Sequence, residues 1–374
     1  FHAMLGLLYD LATPIFEASD EGHHYGFVQW VANGNELPIQ EPGHPTTWWK
    51  QEGSQPPLYY LLASTLVRPL ATEDFGSVFV RNPVSRAGIP GTTHNVNLYR
   101  HPLDSPPLGG TVLAVRVVRW FSLVLSCFTV FLAFHLALLI FKVPLVGYMA
   151  AAIVAFNPMV LFINASVNND NLLMLFGAAT LTVLARQLQD EQPSLTRSAT
   201  LGVLLGGAAL TKLSGLTLWP VVVVMLGYDL GWRRADRLSH RDLGPMARHL
   251  VLIVGIGAII AGWWYVRNLV LYDELFGTRV MVEIAGARPP ITLWSLINDE
   301  ARGFFLSFWG VFGAFSILAS DWVYRFFEWF SVLAGVGLVV AVLRLTWSRR
   351  RDVLLGLMPL FLLLVLTTIS LLAW

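Results

Sequence analysis

The stretch WFSLVLSCFTVFLAFHLALLIF, residues 120–141, contains no aspartate, glutamate, lysine or arginine. A helix needs about 20 mostly apolar residues to cross the hydrocarbon core of a bilayer, so this stretch predicts a membrane span. The whole chain has the same character, because 55% of its 374 residues are hydrophobic and only 13% are charged. A soluble domain usually carries about a quarter charged residues. The sequence therefore predicts an all-α integral membrane protein.

Seven further apolar runs are long enough, or nearly long enough, to form spans. They are residues 143–162, 171–187, 196–210, 213–231, 250–266, 329–343 and 353–374. The opening residues FHAMLGLLYDLA, 1–12, resemble the last turns of a helix that starts before Phe1. Together these runs predict a polytopic bundle of about nine spans, with the shortest ones in its interior.

Basic residues in the short connections predict the orientation of the bundle. Lys142, the connection from Arg186 to Arg197 and two arginine clusters lie in alternate connections. The clusters contain Arg233, Arg234, Arg237, Arg241 and Arg248, and then Arg344, Arg349, Arg350 and Arg351. Because lysine and arginine accumulate on the cytoplasmic side, these connections are predicted to face the cytoplasm of a multi-pass protein of the cell (inner) membrane.

The remaining connections are then predicted to face outward. The largest is a first extracytoplasmic loop, 14–110, in which residues 19–34 and 56–71 have the start and stop signals of surface helices. The uncharged run GFFLSFWGVFGAFSILAS, 303–320, could be mistaken for a span. A crossing there would move the arginines of 344–351 outside, so we predict a re-entrant or interfacial helix instead.

The composition also excludes several classes of protein. The net charge is +1, and no basic patch is interleaved with exposed aromatics, so nucleic acid is not an expected partner. The single cysteine, Cys127, cannot form an intrachain disulfide. Neither a phosphate-cradling glycine loop followed by a lysine nor a G-x-S-x-G hydrolase elbow is present.

An acidic pair follows the first predicted span, within FEASDEGHHYGF, residues 16–27. Asp20 and Glu21 could act as a general base or contact a divalent metal. His24 and its neighbour His23 flank the pair and could support it, although no His-x-x-x-His or Cys-x-x-Cys spacing indicates zinc. The alternative is that Asp20 only caps a helix and Glu21 only favours its N-terminal dipole.

A second polar cluster lies at an outward turn, in FNPMVLFINASVNNDNLLM, residues 156–174. Its five asparagines, Asn169 among them, surround Asp170. Polar groups at a membrane-embedded turn are costly unless they are satisfied or used, which favours a second acidic position in a site. The alternative is a helix break at Asn157 and an ordinary helix cap at 168–171.

Two cations end outward-facing spans. Lys212 lies in LTKLSG, and Arg267 lies in WWYVRNLV behind an aromatic belt. Both could bind a phosphate at the membrane surface, and the alternative for both is snorkelling at the end of a span. Since the charge rule puts these cations on the same face as Asp20 and Asp170, the set would suit a lipid-linked phosphate donor. The acid would deprotonate an acceptor hydroxyl, and the cations would stabilise the departing polyprenyl phosphate.

Five motifs together resemble the bacterial branch of the GT-C glycosyltransferases, which includes the protein O-mannosyltransferase-like and aminoarabinose-transferase-like membrane enzymes. The motifs are PIFEASDEGHHYGFVQWVANGNELPI, QPPLYYLL, NASVNNDNLLML, GGAALTKLSG and GWWYVRNLVLYDELFG, in order from residue 14 to 277. The resemblance implies transfer of a sugar from a polyprenyl-phosphate donor to a glycan, lipid or protein acceptor on the extracytoplasmic face, among membrane lipids.

Family roles fall on particular positions of this sequence. The resemblance implies a catalytic base or metal contact at Asp20 and Glu21, a second acid at Asp170, and carrier-phosphate contacts at Lys212 and Arg267. It also implies one GT-C-type helix bundle over 1–374. Within it, 1–12 ends the first span, 14–110 is the outer loop and 111–272 holds the core spans. Residues 273–320 form a second outer segment, and 321–374 hold the last two spans.

Two other classes of function compete with transfer. One is a non-catalytic membrane subunit that keeps the scaffold within a larger complex. The other is a lipid transporter, which should place charges near the midplane on paired broken helices. Here the charges gather at the outer ends of spans, which favours the enzyme.

Overall fold

The computed structural model describes residues 1–41, 47–101, 109–190, 192–230, 244–347 and 351–373. Arg233, Arg234, Arg237, Arg241, Arg349 and Arg350, which belong to the predicted cytoplasmic clusters, lie outside the described residues. The predicted orientation of the bundle therefore stays a prediction.

Helices make up almost all of the regular structure. The first part of the chain forms α1 (His2–Ala12), α2 (Glu21–Ala32), a 3-10 helix (Lys50–Ser54), α3 (Leu58–Val67) and α4 (Phe75–Val78). The middle forms α5 (Gly110–Phe141), α6 (Pro144–Phe156), α7 (Pro158–Asn164), α8 (Asp170–Gln189) and α9 (Leu195–Ala209). A 3-10 helix (Leu213–Thr217), α10 (Leu218–Tyr228) and α11 (Gly244–Tyr272) follow.

The last part of the chain begins with α12 (Thr278–Ala285), α13 (Leu293–Ser295), a π-helical turn (Leu296–Glu300) and α14 (Ala301–Gly310). Two strands of two residues each, β1 (Val311–Phe312) and β2 (Ile317–Leu318), form an antiparallel hairpin with Val311 opposite Leu318. The chain then forms α15 (Asp321–Trp347) and α16 (Arg351–Ala373). Residues 303–320 thus differ from the expected re-entrant or interfacial helix, because the helix ends at Gly310 and the hairpin follows.

Five helices in the described part of the chain are long and apolar enough to cross a membrane. They are Gly110–Phe141, Asp170–Gln189, Met246–Tyr272, Asp321–Arg344 and Val353–Ser370. The pair α6 and α7, bent by 62° at Asn157, makes a sixth if it counts as one broken span. The prediction of a helical, multi-pass membrane protein is confirmed at this level, whereas the predicted count of about nine is not.

The difference in count has a local cause. Helix α9 has 15 residues and α10 has 11, so both are too short to meet the length of a span. Their apolar side chains, among them Leu201, Leu205, Val221 and Met225, are buried in a common core. Such helices are stabilised by packing against other helices of the protein. They can therefore be shorter than the roughly 20 residues that a lipid-exposed span requires.

The chain folds into two compact units. The first contains residues Phe1–Cys127, Ile153–Asn171 and Gly277–Ala334, and the second contains Phe128–Ala152, Leu172–Phe276 and Gly335–Trp374. In the first unit, α2 packs against α3, and the rings of Phe27 and Tyr60 stack with centroids 4.0 Å apart. Five other rings of the same unit form a cluster with centroids 4.5–6.0 Å apart: Phe16, Tyr25, Phe75, Phe79 and Tyr99.

In the second unit, α9 and α11 pack closely and run parallel. A Cβ added at Gly202 would lie 2.8 Å from the carbonyl oxygen of Ile253, and one at Gly206 would lie 2.8 Å from Cβ of Ile260. Small residues at these two positions let the helices approach each other, as in many membrane bundles. Further along, the Tyr265 hydroxyl donates to the carbonyl oxygen of Ala209 at 2.8 Å. The C-terminal ends of α9 and α11 therefore lie on the same side of this helix pair.

Candidate active site

Asp20 stands at the start of α2 with its side chain exposed. Its backbone is left-handed (φ 58°), and its carboxylate makes no capping hydrogen bond to the helix. The Gln51 side chain donates to Oδ1 at 3.3 Å. The simple capping role considered for Asp20 does not occur, so the carboxylate is available at the protein surface.

Glu21, the next residue, is fully buried and bound by four donors. The guanidinium of Arg119 donates from Nε to Oε1 at 2.8 Å and from Nη2 to Oε2 at 2.6 Å. The backbone N–H groups of Phe16 and Val167 donate to Oε2 at 2.8 Å and to Oε1 at 2.9 Å. Bidentate pairing with a buried arginine satisfies this carboxylate completely. Glu21 therefore holds the start of α2 in place and does not face solvent.

Arg119 extends this pair to the end of α1. Its Nη1 donates to Oδ1 of buried Asp10 at 3.1 Å and to the carbonyl oxygen of Thr13 at 2.8 Å. Arg116 also pairs with Oδ1 of Asp10, at 3.0 Å, and Trp120 Nε1 donates to Oδ2 at 3.1 Å. A buried charge is tolerated only when it is paired and hydrogen-bonded. The Arg119 guanidinium meets this condition, because carboxylate and carbonyl oxygens accept from its Nε, Nη1 and Nη2.

A third carboxylate anchors the segment before Tyr99. Glu17, which is buried, accepts from the backbone N–H of Leu98 at 2.7 Å and of Tyr99 at 2.9 Å. His101 Nε2 lies 2.7 Å from Oε1 of the same carboxylate. The stretch around Asp20 is thus attached to residues 82 positions further along the chain.

His24 lies in a buried polar cluster behind Asp20. Its Nδ1 is 2.7 Å from the hydroxyl of Tyr60 and 3.5 Å from Oε2 of Glu52. The imidazole also stacks on the Tyr60 ring, with centroids 5.9 Å apart. This cluster joins α2, the first 3-10 helix and α3, so His24 supports the position of α2.

The asparagine turn closes against the same region. Asn168 Oδ1 accepts from the backbone N–H of Asp170 at 2.8 Å, which begins α8. Asn169 Nδ2 donates to Oε1 of Gln55 at 3.4 Å, and Asn171 Nδ2 donates to the Asn168 carbonyl oxygen at 2.9 Å. The capping role considered for Asn168 is therefore real, and it leaves Asp170 half-buried at the helix start.

Asp20 and Asp170 act on a common neighbour, the phenol of Tyr60. Burial raises the pKa of Tyr60 well above its ordinary value, and the carboxylates of Glu52, Asp170 and Asp20 raise it further. Since like charges destabilise a phenolate only at short range, the two predicted acids lie in one neighbourhood of the first unit.

The two predicted cations belong to the second unit. Lys212 follows the end of α9 and caps the second 3-10 helix with extended backbone. The Arg267 guanidinium lies 4.9 Å from the centroid of the Trp264 ring, in a cation–π contact. Because α9 and α11 run parallel, Lys212 and Arg267 lie at the same end of this helix pair.

Residues 112–263 match the family model described as dolichyl-phosphate-mannose-protein mannosyltransferase. This match confirms the resemblance to GT-C membrane glycosyltransferases. Arg119, Asp170 and Lys212 lie within the matched region, whereas Asp20, Glu21 and Arg267 lie outside it. No curated protein and no solved structure matches the chain significantly. The match supports a membrane glycosyltransferase that uses a lipid-linked donor.

The metal contact considered for the acidic pair has little support in its surroundings. Within the ranges that the structure describes, no group of three histidine, cysteine, aspartate or glutamate side chains could hold a metal ion. Glu21, one of the two expected ligands, has its oxygens occupied by Arg119 and backbone N–H groups. Among the described residues, the donor set around Asp20 and Glu21 therefore does not fit a resident divalent metal.

Sequence reasoning missed Asp10 and Arg119, the two residues that hold Glu21. The signal was present in LLYDLA and in TVLAVRVVRW, where ionisable residues stand within apolar runs. Such residues are costly in a membrane protein unless they are paired, so each predicts a partner. The first full span predicted by hydropathy begins at Trp120, so Arg119 lies just outside it.

Proposed function

We propose that the chain transfers a sugar from a polyprenyl-phosphate donor to an acceptor hydroxyl, with Asp20 as the general base. The observation that carries this proposal is the contrast between Asp20, which is exposed and makes no helix cap, and Glu21, which is enclosed by Arg119. A general base needs a carboxylate that the acceptor can approach, and the exposure of the Asp20 side chain supports this role. The family match supports the reaction class, and the activity for which the family is named favours a donor that carries mannose on a lipid phosphate.

The reaction is an inverting displacement at the anomeric carbon. Asp20 accepts the proton of the acceptor hydroxyl while the oxygen forms a bond to the anomeric carbon. The bond from that carbon to the phosphate oxygen breaks, and the polyprenyl phosphate leaves with the electron pair. Lys212 and Arg267 are the proposed contacts of the leaving phosphate, because cations stabilise the charge that develops there. Asp170 and Asn169 are proposed to bind sugar or acceptor hydroxyls.

The proposed active face is extracytoplasmic, in the cell (inner) membrane. The distribution of basic residues supports this orientation, since Lys142, Arg186 and Arg197 would lie on the cytoplasmic side. The acceptor, whether a glycan, a lipid or a protein, would then be met outside the cytoplasm.

The test is sugar transfer by the full chain in proteoliposomes. Polyprenyl-phosphate mannose and other polyprenyl-phosphate sugars serve as donors, and the wild type is compared with Asp20→Asn. We expect Asp20→Asn to lower kcat by about 10²- to 10⁴-fold, the range that general-base catalysis contributes. Glu36→Gln, which removes another exposed carboxylate of the first unit, is the control and should leave kcat unchanged.

Each outcome separates the alternatives. Equal turnover by wild type and Asp20→Asn would show that Asp20 is not the base. Absence of transfer with every donor would favour a non-catalytic subunit that keeps the scaffold.

A further inference from the structure

Two cations flank the start of α2, and the proposed reaction does not use them. Lys50 is half-buried and Arg81 is exposed. Neither the Lys50 ammonium nor the Arg81 guanidinium makes a hydrogen bond or ion pair within the part of the chain that the structure describes. Both lie in the same compact unit as Asp20.

Lys50 is held beside Asp20 by the segment that contains it. The Trp48 carbonyl oxygen is 2.8 Å from Nδ1 of His23, and Gln51, which follows Lys50, donates to Asp20. On the other side, the Gln40 side chain donates to the Lys50 carbonyl oxygen at 2.7 Å. The backbone of Lys50 is therefore fixed on both sides, while its ammonium forms no hydrogen bond or ion pair with the residues that the structure describes.

Arg81 approaches the same point from another segment. Its backbone pairs with that of Tyr99, whose N–H donates to Glu17, three positions before Asp20. Two residues before Arg81, the Phe79 ring contacts His23 edge-on, with centroids 5.5 Å apart, and stacks on Tyr99 at 4.5 Å. His23 thus lies between the Trp48–Lys50 segment and the Phe79–Arg81 segment.

Electrostatics at the neighbouring rings agree with this placement. Burial lowers the pKa of His23, the positive charges of Lys50 and Arg81 lower it further, and Asp20 opposes them. Burial raises the pKa of Tyr99, which Arg81 lowers and which Asp20 and Glu17 raise. One acid and two cations therefore act on the same rings.

We propose that Lys50 and Arg81 bind a phosphate group of the acceptor beside Asp20. This inference rests on the proposed function, in which Asp20 contacts the acceptor hydroxyl. In an inverting displacement the attacking and leaving oxygens lie on opposite faces of the sugar. Cations next to the base are consequently on the side of the acceptor, away from the leaving phosphate.

The chemistry of the pair suits phosphate. Arginine presents a planar fork that matches phosphate oxygens, and lysine adds a point charge on a flexible stem. The acceptor is thus inferred to carry a phosphate near its reactive hydroxyl. It could be a soluble phosphorylated alcohol or the headgroup of a phospholipid, and both present the same groups to Lys50 and Arg81.

Binding is tested with glycerol 1-phosphate and the full chain in phosphatidylcholine nanodiscs, by titration calorimetry. The variant carries Lys50→Gln and Arg81→Gln, and the control is Arg68→Gln, which removes an exposed cation of the same unit. We expect the double variant to bind glycerol 1-phosphate at least tenfold more weakly and the control to bind as the wild type does. Equal affinity of double variant and wild type, or no binding by the wild type in either nanodisc arm, would overturn the proposal.

A second arm distinguishes the sources of the phosphate. In phosphatidylglycerol nanodiscs, a headgroup that occupies the site would weaken binding of glycerol 1-phosphate to wild type but not to the double variant. Unchanged binding would indicate a soluble acceptor. Binding of polyprenyl phosphate should be the same in wild type and double variant, and its loss in the double variant would overturn the assignment to the acceptor.

The two proposals fail separately. Sugar transfer by a wild type that binds no phosphate through Lys50 and Arg81 would leave the proposed function intact and refute this site. If phosphate binding depends on both cations but the chain transfers no sugar, the phosphate site stands and the proposed reaction is refuted.

Discussion

Glu21 and Arg119 lie 98 positions apart in the chain and form a bidentate ion pair in which both side chains are fully buried. The pair fixes the first turn of α2 to α5. Removing one partner of such a pair leaves an uncompensated buried charge, which costs far more than loss of an exposed pair.

Arg119→Met is therefore expected to destabilise the protein by about 3–5 kcal/mol. The loss of stability is measured by thermal unfolding of the protein in detergent micelles. Arg116→Gln is the comparison, because Arg116 reaches the same Asp10 with a side chain that is partly exposed and does not touch Glu21. A smaller loss is expected for it, and equal losses for the two variants would contradict the role given to Arg119.

Gly26→Ala should destabilise α2 where it meets Trp48. A Cβ at Gly26 would lie 2.8 Å from the backbone carbon and oxygen of Trp48, so the segment that carries Lys50 must shift. Overpacking of this kind costs about 1–3 kcal/mol. Gly177→Ala in α8 meets nothing within 4 Å and should be neutral or stabilising. Thermal unfolding of the two variants measures the difference.

Stability should fall as the medium becomes acidic, in part through His23. Burial lowers the pKa of His23 below its ordinary value of 6.5, so the folded protein binds this proton less readily than the unfolded chain does. The stability that depends on neutral His23 is therefore fully present above about pH 6.5 and declines as the pH falls through that value. His23→Gln should flatten the slope between about pH 7 and 5, measured by thermal unfolding at several pH values.

Arg267→Gln and Lys212→Gln are each expected to raise the KM for the lipid-linked donor. A hydrogen bond from a cation to phosphate contributes about 1.5–3 kcal/mol, which corresponds to about tenfold or more. Arg248→Gln removes an exposed cation at the opposite end of α11 and serves as the matched control. An equal effect of all three variants would indicate general attraction of an anionic lipid to positive charge.

Hydropathy alone located most of the helices. The apolar runs 171–187 and 250–266 correspond to α8 and α11. Hydropathy predicts such helices well because each is formed by one continuous run of apolar residues. Hydropathy did not predict the number of spans equally well. Asn157 and Pro158 break one run into α6 and α7, and the Asn157 side chain caps α7 by accepting from Met159 and Val160 N–H.

The site was only partly predictable from the chain. Asp20 stood out because its neighbours form a recognisable motif, but the environment that separates it from Glu21 comes from Arg119 and Val167, which are distant in sequence. Lys50 and Arg81 gave no signal at all. Lys50 begins the first 3-10 helix and Arg81 lies in an irregular segment, and the contacts of His23 with Trp48 and Phe79 bring these two parts of the chain together.

The left-handed backbone of Asp20 decides how this position should be probed. Side chains with a Cβ pay about 1–2 kcal/mol in this conformation, and aspartate and asparagine are among the few that adopt it readily. Alanine scanning here would mix a conformational penalty with the loss of the carboxylate, and a dead Asp20→Ala protein would say little about proton transfer. Asparagine keeps the shape and the turn while removing only the charge, so it separates chemistry from folding at the residue where that separation matters most.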